Sequence, residues 1–223
     1  MESSRKTAII VGVLFIIATA APMISIAFIG SIYDADYLTT VSANESQVLI
    51  GVLLLSAMTA AIVSIPIMMF PILKRQNEQL ALGYVGARIF EGFFSAVNVI
   101  NILSLLSVSR EFVNAEATVA SHLQTSGTLI LAKFNWCSLL LDFPFTIGAL
   151  VINYLLYKSK LVPQWLSVLG FIGGALWLAT TPFRMFNVFP PSLEILALII
   201  MVQEMVFAVW LIVKGFNSSA TAS

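Results

Sequence analysis

Six long apolar segments dominate the sequence and constrain its fold more than any other feature. They span residues 7–30, 48–73, 80–108, 129–157, 161–183 and 193–213, and polar or proline-containing breaks separate them. A helix needs about 20 apolar residues to cross the hydrocarbon core of a bilayer, and each segment is long enough. Lipid offers no partner to free backbone groups, and the segments lack the alternation of barrel strands. The sequence therefore predicts an all-α bundle of six transmembrane helices.

The amino-acid composition agrees with a chain that is embedded in a lipid bilayer. Of the 223 residues, 59% are hydrophobic and 10% are charged, whereas soluble domains carry about 25% charged residues. Eleven basic residues balance eleven acidic ones, so no basic field would attract nucleic acid. The links are short except for residues 31–47 and 109–128. We therefore expect residues 1–223 to form a single transmembrane domain, with the lipid bilayer as its partner.

The positions of lysine and arginine predict the orientation of the bundle. In a six-crossing arrangement, Arg110 lies in a loop on one side of the membrane. On the other side lie Arg5, Lys6, Lys74, Arg75, Lys158, Lys160 and Lys214. Loops rich in lysine and arginine stay on the inner side. The N- and C-termini are therefore expected to be cytoplasmic.

Several charged residues fall inside the apolar segments, where an unpaired charge is costly and normally faces the protein interior. They are Arg88, Glu91, Lys133, Asp142, Arg184, Glu194 and Glu204. In the third segment, one helical face of roughly 80° carries a continuous polar stripe. The stripe consists of Tyr84, Arg88, Glu91, Ser95 and Asn98. We expect this face to lie inside the bundle.

Depth arguments place Arg88 and Glu204 at a similar level. Each lies roughly 12 to 14 Å from the cytoplasmic end of its helix, so the two side chains are expected to meet. Arg88 and Glu91 also pair at a spacing of three residues. An arginine between two carboxylates leaves one excess negative charge, and Gln203 is expected to add a hydrogen bond nearby.

A second polar face is predicted in the fourth segment. Asp142, Thr146 and Asn153 fall within about 40° of one another on a helix, which places a carboxylate near the middle of the membrane. Lys133 projects to the opposite face, toward the outer end, where Arg184 and Glu194 are also expected. Lys133 is thus not the obvious partner of Asp142.

Signatures of enzymes and cofactor sites are absent from the sequence. The only histidine, His122, lies in a predicted outer loop, which excludes a bis-histidine haem and an HExxH zinc site. There is no GxSxG elbow, Walker loop or GxGxxG motif. No cofactor or metal is therefore expected.

Three functions remain open. The preferred hypothesis is binding or transport of a small or amphipathic molecule, such as a metabolite or a lipid, or of protons, at a polar intramembrane site. Its predicted ligand-binding residues are Tyr84, Arg88, Glu91, Asn98, Asp142, Gln203 and Glu204. The alternative is a structural or regulatory protein whose interior salt bridges only stabilise the bundle. The least favoured is an intramembrane enzyme that uses Asp142 or Glu204 as an acid or base.

Two glycines in the fifth segment allow a close helix contact. Gly170 and Gly174 lie four residues apart and therefore on one helical face, a spacing that lets another helix approach closely. The partner is either a helix of the same bundle or a second copy of the chain in a homo-oligomer. We expect the contact to be internal.

Four segments carry a family resemblance that covers nearly the whole chain. The most specific is LGYVGARIFEG at residues 82–92. The others are RKTAIIVGVLF at 5–15, YLLYKSKLVPQWLS at 154–167 and QEMVFAVWLIVKGF at 203–216. Together they resemble a bacterial membrane family known as domain of unknown function 4386. The resemblance implies a multi-pass protein of the bacterial cytoplasmic membrane. The chain departs from the family pattern around residues 134–144, which include Asp142.

Overall fold

The computed structural model describes residues 2–217, and this range contains helices but no β-strand. The helices are α1 (Glu2–Ile29), α2 (Tyr37–Ala43), α3 (Glu45–Leu73), α4 (Glu78–Phe112), α5 (Ala117–Ser159), α6 (Gln164–Met185) and α7 (Ala197–Val213). Short 3-10 helices cover Gly30–Tyr33 and Pro191–Leu196. All the α-helices except α2 belong to six spans that are long and apolar enough to cross a membrane. The predicted all-α fold with six long apolar helices is confirmed.

The six long helices form a closed ring. α1 packs on α3, α3 on α4, α4 on α5, α5 on α6, α6 on α7, and α7 returns to α1. Arg5 strengthens this last contact, because its guanidinium donates hydrogen bonds to the Leu211 carbonyl at 3.1 Å and the Ile212 carbonyl at 2.6 Å. These carbonyls lie in the last turn of α7, where acceptors lose their donors from the helix itself. The Leu211 carbonyl also accepts from the Gly215 N–H. Below, the end of the ring where α1 begins and α7 ends is the terminal end, and the opposite end is the far end.

The terminal end is sealed by a core to which all six long helices contribute. Its buried side chains include Phe15, Ile65, Tyr84, Leu155, Leu166 and Phe207, one from each long helix. Phe15 meets Phe207 edge to face, with ring centroids 5.2 Å apart, a favoured geometry for aromatic pairs. The bundle is therefore tightly packed at this end.

The far end is packed on one side only. Its core is built by the end of α1, the following turn, α2, α3 and α4, and partly buried residues of α5 pack against it. The inward face of α1 shows the consequence. Ala8, Phe15 and Thr19 on this face are at most 8% exposed, whereas Met23 and Ile26, further along the same face, are 54% and 61% exposed. The interior of the ring therefore opens toward the far end.

Two predicted loops are shorter than the sequence indicated. α4 ends at Phe112 and α5 begins at Ala117, so the predicted loop at 109–128 and the predicted helix start at 129 are wrong. Likewise, much of the predicted loop at 31–47 is helical. Polarity marks where a chain leaves the lipid, but a proline-free stretch with several good helix formers continues as helix beyond that point.

Gly170 and Gly174 both face α5. A Cβ atom added at Gly174 would lie 3.4 Å from the Ala149 Cβ, and one added at Gly170 would overlap the Asn153 side chain. The close approach that these glycines permit is therefore used within the bundle, between α6 and α5.

Candidate functional site

Helix α4 carries a buried polar stripe through the middle of the ring. Tyr84, Arg88, Glu91 and Ser95 are at most 3% exposed, and Asn98 is 9% exposed. Their spacing of three or four residues puts them on one face of the helix, and packing of α4 between α3 and α5 turns this face inward. Ionisable and polar groups are thus held where water is scarce.

Arg88 and Glu91 form an ion pair on this stripe. Arg88 Nη1 lies 3.0 Å from Glu91 Oε2, and the guanidinium also lies over the Phe145 ring, 5.8 Å from its centroid. The angle of the pair is not that of a hydrogen bond. Among the described residues, neither Arg88 Nε nor Glu91 Oε2 has a hydrogen-bond partner. A buried polar atom without a partner costs about 1–3 kcal/mol, so this pair has capacity for a further polar group.

Glu204 of α7 faces the same space from the opposite wall. Thr19 Oγ1 of α1 donates a hydrogen bond to Glu204 Oε2 at 3.3 Å. Arg88 and Glu204 were predicted to meet. In the structure, both side chains line the same two cavities. Within the described chain, the partner of Arg88 at ion-pair distance is Glu91.

A central cavity of about 380 Å³ lies between these groups. Helices α1, α3, α4, α5 and α7 line it, and this size falls within the range of small-molecule sites. Its polar lining consists of Thr19, Arg88, Glu91, Asn98, Ser138, Asp142 and Glu204. Much of the remaining wall is apolar. Exposed Met23 and Ile26 line it too, so the central cavity is open to the outside of the bundle beside this part of α1.

A second, enclosed cavity of about 10 Å³ lies toward the terminal end, roughly the space of one water molecule. Arg88 and Glu204 line both cavities, and Tyr84 and Gln203 line this inner one. Gln203 Nε2 donates to Asn153 Oδ1 at 3.3 Å. The hydrogen bond predicted for Gln203 near the charged groups is therefore part of an amide pair between α7 and α5.

Asp142 has a cationic partner that the sequence did not predict. Arg184 of α6 forms an ion pair with Asp142, and the Arg184 guanidinium lies 4.7 Å from the centroid of the Trp177 ring. The sequence excluded Lys133 as the obvious partner of Asp142 but did not identify Arg184 as its partner. The physical reason is that an arginine side chain is long enough to carry its charge well away from its own backbone position.

Arg184 also borders a polar recess at the far end. This recess of about 380 Å³ contains Asn187 and Glu194, and Ser138 lines both it and the central cavity. Lys133, in contrast, is exposed on α5. The Asp142–Arg184 pair and Ser138 therefore lie between the recess and the central cavity.

The structure brings the predicted residues together in two groups. Arg88, Glu91, Asn98, Asp142 and Glu204 line the central cavity. Tyr84 and Gln203 line the inner cavity, where Arg88 and Glu204 also contribute.

Sequence reasoning missed Thr19 and Ser138, which contribute hydroxyls to the central cavity. Ser138 accepts a hydrogen bond from Asn98 Nδ2 at 2.9 Å and donates one to the Phe134 carbonyl at 2.9 Å. A hydroxyl in an apolar helix commonly bonds its own backbone in this way. No signal in the sequence therefore separates these two from other serines and threonines.

Comparison with known proteins agrees with the resemblance noted in the sequence. Neither the curated proteins nor the solved structures contain a match to the chain. The model of the family described as domain of unknown function (DUF4386) matches residues 10–215, a range that includes all six membrane-spanning helices in whole or large part. The chain is therefore a multi-pass membrane protein and belongs to the DUF4386 family.

Proposed function

We propose that the protein binds or transports a small or amphipathic molecule through a polar site in the central cavity. The observation that carries this proposal is the set of buried polar atoms that belong to residues lining the cavity and, in residues 2–217, lack a hydrogen-bond partner. They are Arg88 Nε, Glu91 Oε2 and Asn98 Oδ1. A network that served packing alone would be expected to satisfy its own members. A ligand entering from the open far end would complete it.

The distribution of basic residues supports a direction for this function. Exposed Lys74, Arg75, Lys158 and Lys160 belong to links at the terminal end, and loops rich in these residues stay in the cytoplasm. In a bacterial cytoplasmic membrane, the termini would then be cytoplasmic and the central cavity would open outward. The closed core around Phe15 and Phe207 would face the cell interior.

Thermal unfolding of the purified chain with a panel of metabolites and lipids tests this function. We expect at least one compound to raise the unfolding midpoint of the wild type, because a ligand that binds only the folded state stabilises it. Arg88→Ala should abolish this shift. The matched control is Arg110→Ala, since Arg110 is exposed at the far end and pairs with Glu45.

The proposal fails if the same panel gives equal shifts with the wild type and a folded Arg88→Ala variant. Glu204→Gln then gives a second measurement, since it removes a charge while nearly preserving shape. If no compound shifts the wild type, and the destabilising effects of Arg88→Ala and Glu204→Gln are coupled, the cluster is structural.

A structural role is the second candidate, and the mutual pairing of Arg88 with Glu91 favours it. In that case the charges would fix the packing of α4 inside the ring. A partner or a second copy of the chain would then act on the helix surfaces.

A further inference from the structure

We propose that the ligand of the central cavity is an amphipathic amine, with a protonated nitrogen on an apolar body. This inference rests on the proposed binding function and specifies the chemistry of the ligand. Its three supports are the charge of the cavity, the type of polar atom left without a partner, and the character of the remaining wall.

The first support is an excess of negative charge. Glu91, Asp142 and Glu204 line the central cavity. Among the described residues, Arg88 pairs with Glu91 and Arg184 pairs with Asp142. Glu204 instead accepts a hydrogen bond from the neutral Thr19 hydroxyl. A carboxylate without a cation in a low-dielectric site attracts a positive charge strongly.

The second support is an excess of hydrogen-bond acceptors. Within the described chain, two buried acceptors of the cavity residues, Glu91 Oε2 and Asn98 Oδ1, lack a hydrogen-bond donor, against one unpartnered donor, Arg88 Nε. The Glu204 carboxylate adds further acceptor positions. A protonated amine supplies up to three N–H donors as well as the missing charge. An anion would meet these acceptors unfavourably, and the Arg88 charge it needs is already paired with Glu91.

The third support is the apolar wall around these acceptors. Met23, Met58, Met201 and Phe145 line the central cavity. Methionine side chains are flexible and polarisable, so they adapt to apolar bodies of different shapes. Met23 is 54% exposed toward the opening. The polar groups of α4 and α7 would thus hold the nitrogen, and the methionines would contact the apolar body.

Three probes of nearly equal shape and different charge test this inference. They are phenylbutylamine, phenylbutanol and phenylbutyrate, which are respectively cationic, neutral and anionic at neutral pH. Binding to the full chain in lipid nanodiscs is measured by calorimetry, with empty nanodiscs subtracted because each probe also partitions into lipid. We expect the amine to bind at least about tenfold more tightly than the alcohol and the acid.

Variants of Glu204 test whether this carboxylate causes the preference for the cationic probe. Glu204→Gln should reduce amine affinity by about tenfold and leave the alcohol nearly unchanged, and Glu204→Asp should retain most of the preference. Glu111→Gln is the matched control, because Glu111 is an exposed carboxylate outside the cavity, and it should bind like the wild type.

The outcomes separate the ligand class from the function itself. If the alcohol or the acid binds as tightly as the amine, the cation inference is overturned and the binding function stands. Unchanged amine affinity in folded Glu204→Gln also overturns it. If neither these probes nor the broader panel binds, both proposals fail. Should Glu204→Gln not fold, the comparison of the three probes on the wild type decides alone.

Discussion

Two ion pairs between helices differ in solvent exposure. They are therefore expected to contribute differently to the free energy of unfolding. The Asp142 and Arg184 side chains are 13% and 28% exposed, whereas those of Glu45 and Arg110 are 41% and 49% exposed. Charges removed from water interact more strongly, and a charge that loses its partner there is costly. Exposed pairs contribute little.

We expect Asp142→Asn to lower the unfolding free energy by about 1–3 kcal/mol, because it leaves the Arg184 charge unpaired in a half-buried position. Arg184→Gln should act similarly, and the double variant should lose less than the sum of the two. Thermal unfolding of the four proteins in one detergent measures this coupling.

The exposed pair supplies the control for this cycle. Glu45→Gln and Arg110→Gln should change the unfolding midpoint little, alone or together. Strictly additive effects of Asp142→Asn and Arg184→Gln would contradict a stabilising ion pair.

At the scale of residues, the sequence predicted which residues share one helix face better than it predicted which residues of different helices pair. Arg88 and Glu91 share a helix, so their spacing was sufficient to predict their pairing. The pairs Asp142–Arg184 and Gln203–Asn153 join residues of different helices. Their formation depends on helix tilt and side-chain reach, which periodicity does not contain.

Helices α5 and α6 approach each other closely at Gly170. A Cβ atom added there would lie 2.5 Å from both Nδ2 and Oδ1 of Asn153, and Asn153 in turn bonds Gln203. The side chain has little freedom to move because Asn153 Nδ2 also donates to the Ala149 carbonyl at 2.8 Å.

Gly170→Ala should therefore destabilise the protein by about 1–3 kcal/mol, the usual cost of overpacking. Gly83→Ala is the matched control, since a Cβ atom there has open space around it, and alanine favours helix over glycine. Thermal unfolding should show a midpoint several degrees lower for the first variant and an equal or higher midpoint for the second. Equal midpoints for both would refute the close contact.

The first turns of α5 continue beyond the predicted membrane boundary. Residues 117–126 are helical but half-buried or exposed, whereas Thr146, Ala149, Ile152 and Leu156 are buried. Hydrogen exchange should thus be faster at 117–126 than at 146–156, yet slower than in an unstructured peptide. If residues 117–126 exchanged as fast as an unstructured peptide, the loop predicted from the sequence would be correct after all. The apolar pattern predicted the helices themselves, but their ends depend on helix propensity outside the lipid.

The whole bundle has a predicted orientation that chemical labelling can test. In a chain with Cys137→Ser, we expect Glu111→Cys to react with a membrane-impermeant maleimide added to intact cells, and Lys158→Cys to react only after the cells are opened. Both positions are exposed and lie at opposite ends of the ring. The reverse pattern would invert the orientation and direct the central cavity toward the cytoplasm.

At this scale, the sequence predicted the number of crossings but not the shape of the interior. Six apolar segments are sufficient to predict six helices. Nothing in the segment of α1 distinguishes Phe15, sealed in the core, from Ile26, exposed on the same face. That difference arises because α6 and α7 contribute no residue to the described far-end core, and the α5 residues Ile130, Leu131 and Phe134 that pack against it are only partly buried.

The closure of the ring by α1 and α7 determines when the central cavity comes into existence during synthesis. The first helix supplies Thr19 and the last supplies Glu204, and these two residues bond across one wall of the cavity. A ribosome releases α7 only after every other helix has been made. The nascent chain therefore lacks a complete central cavity until α7 has been made, and a product terminated before α7 would insert into the membrane without this cavity.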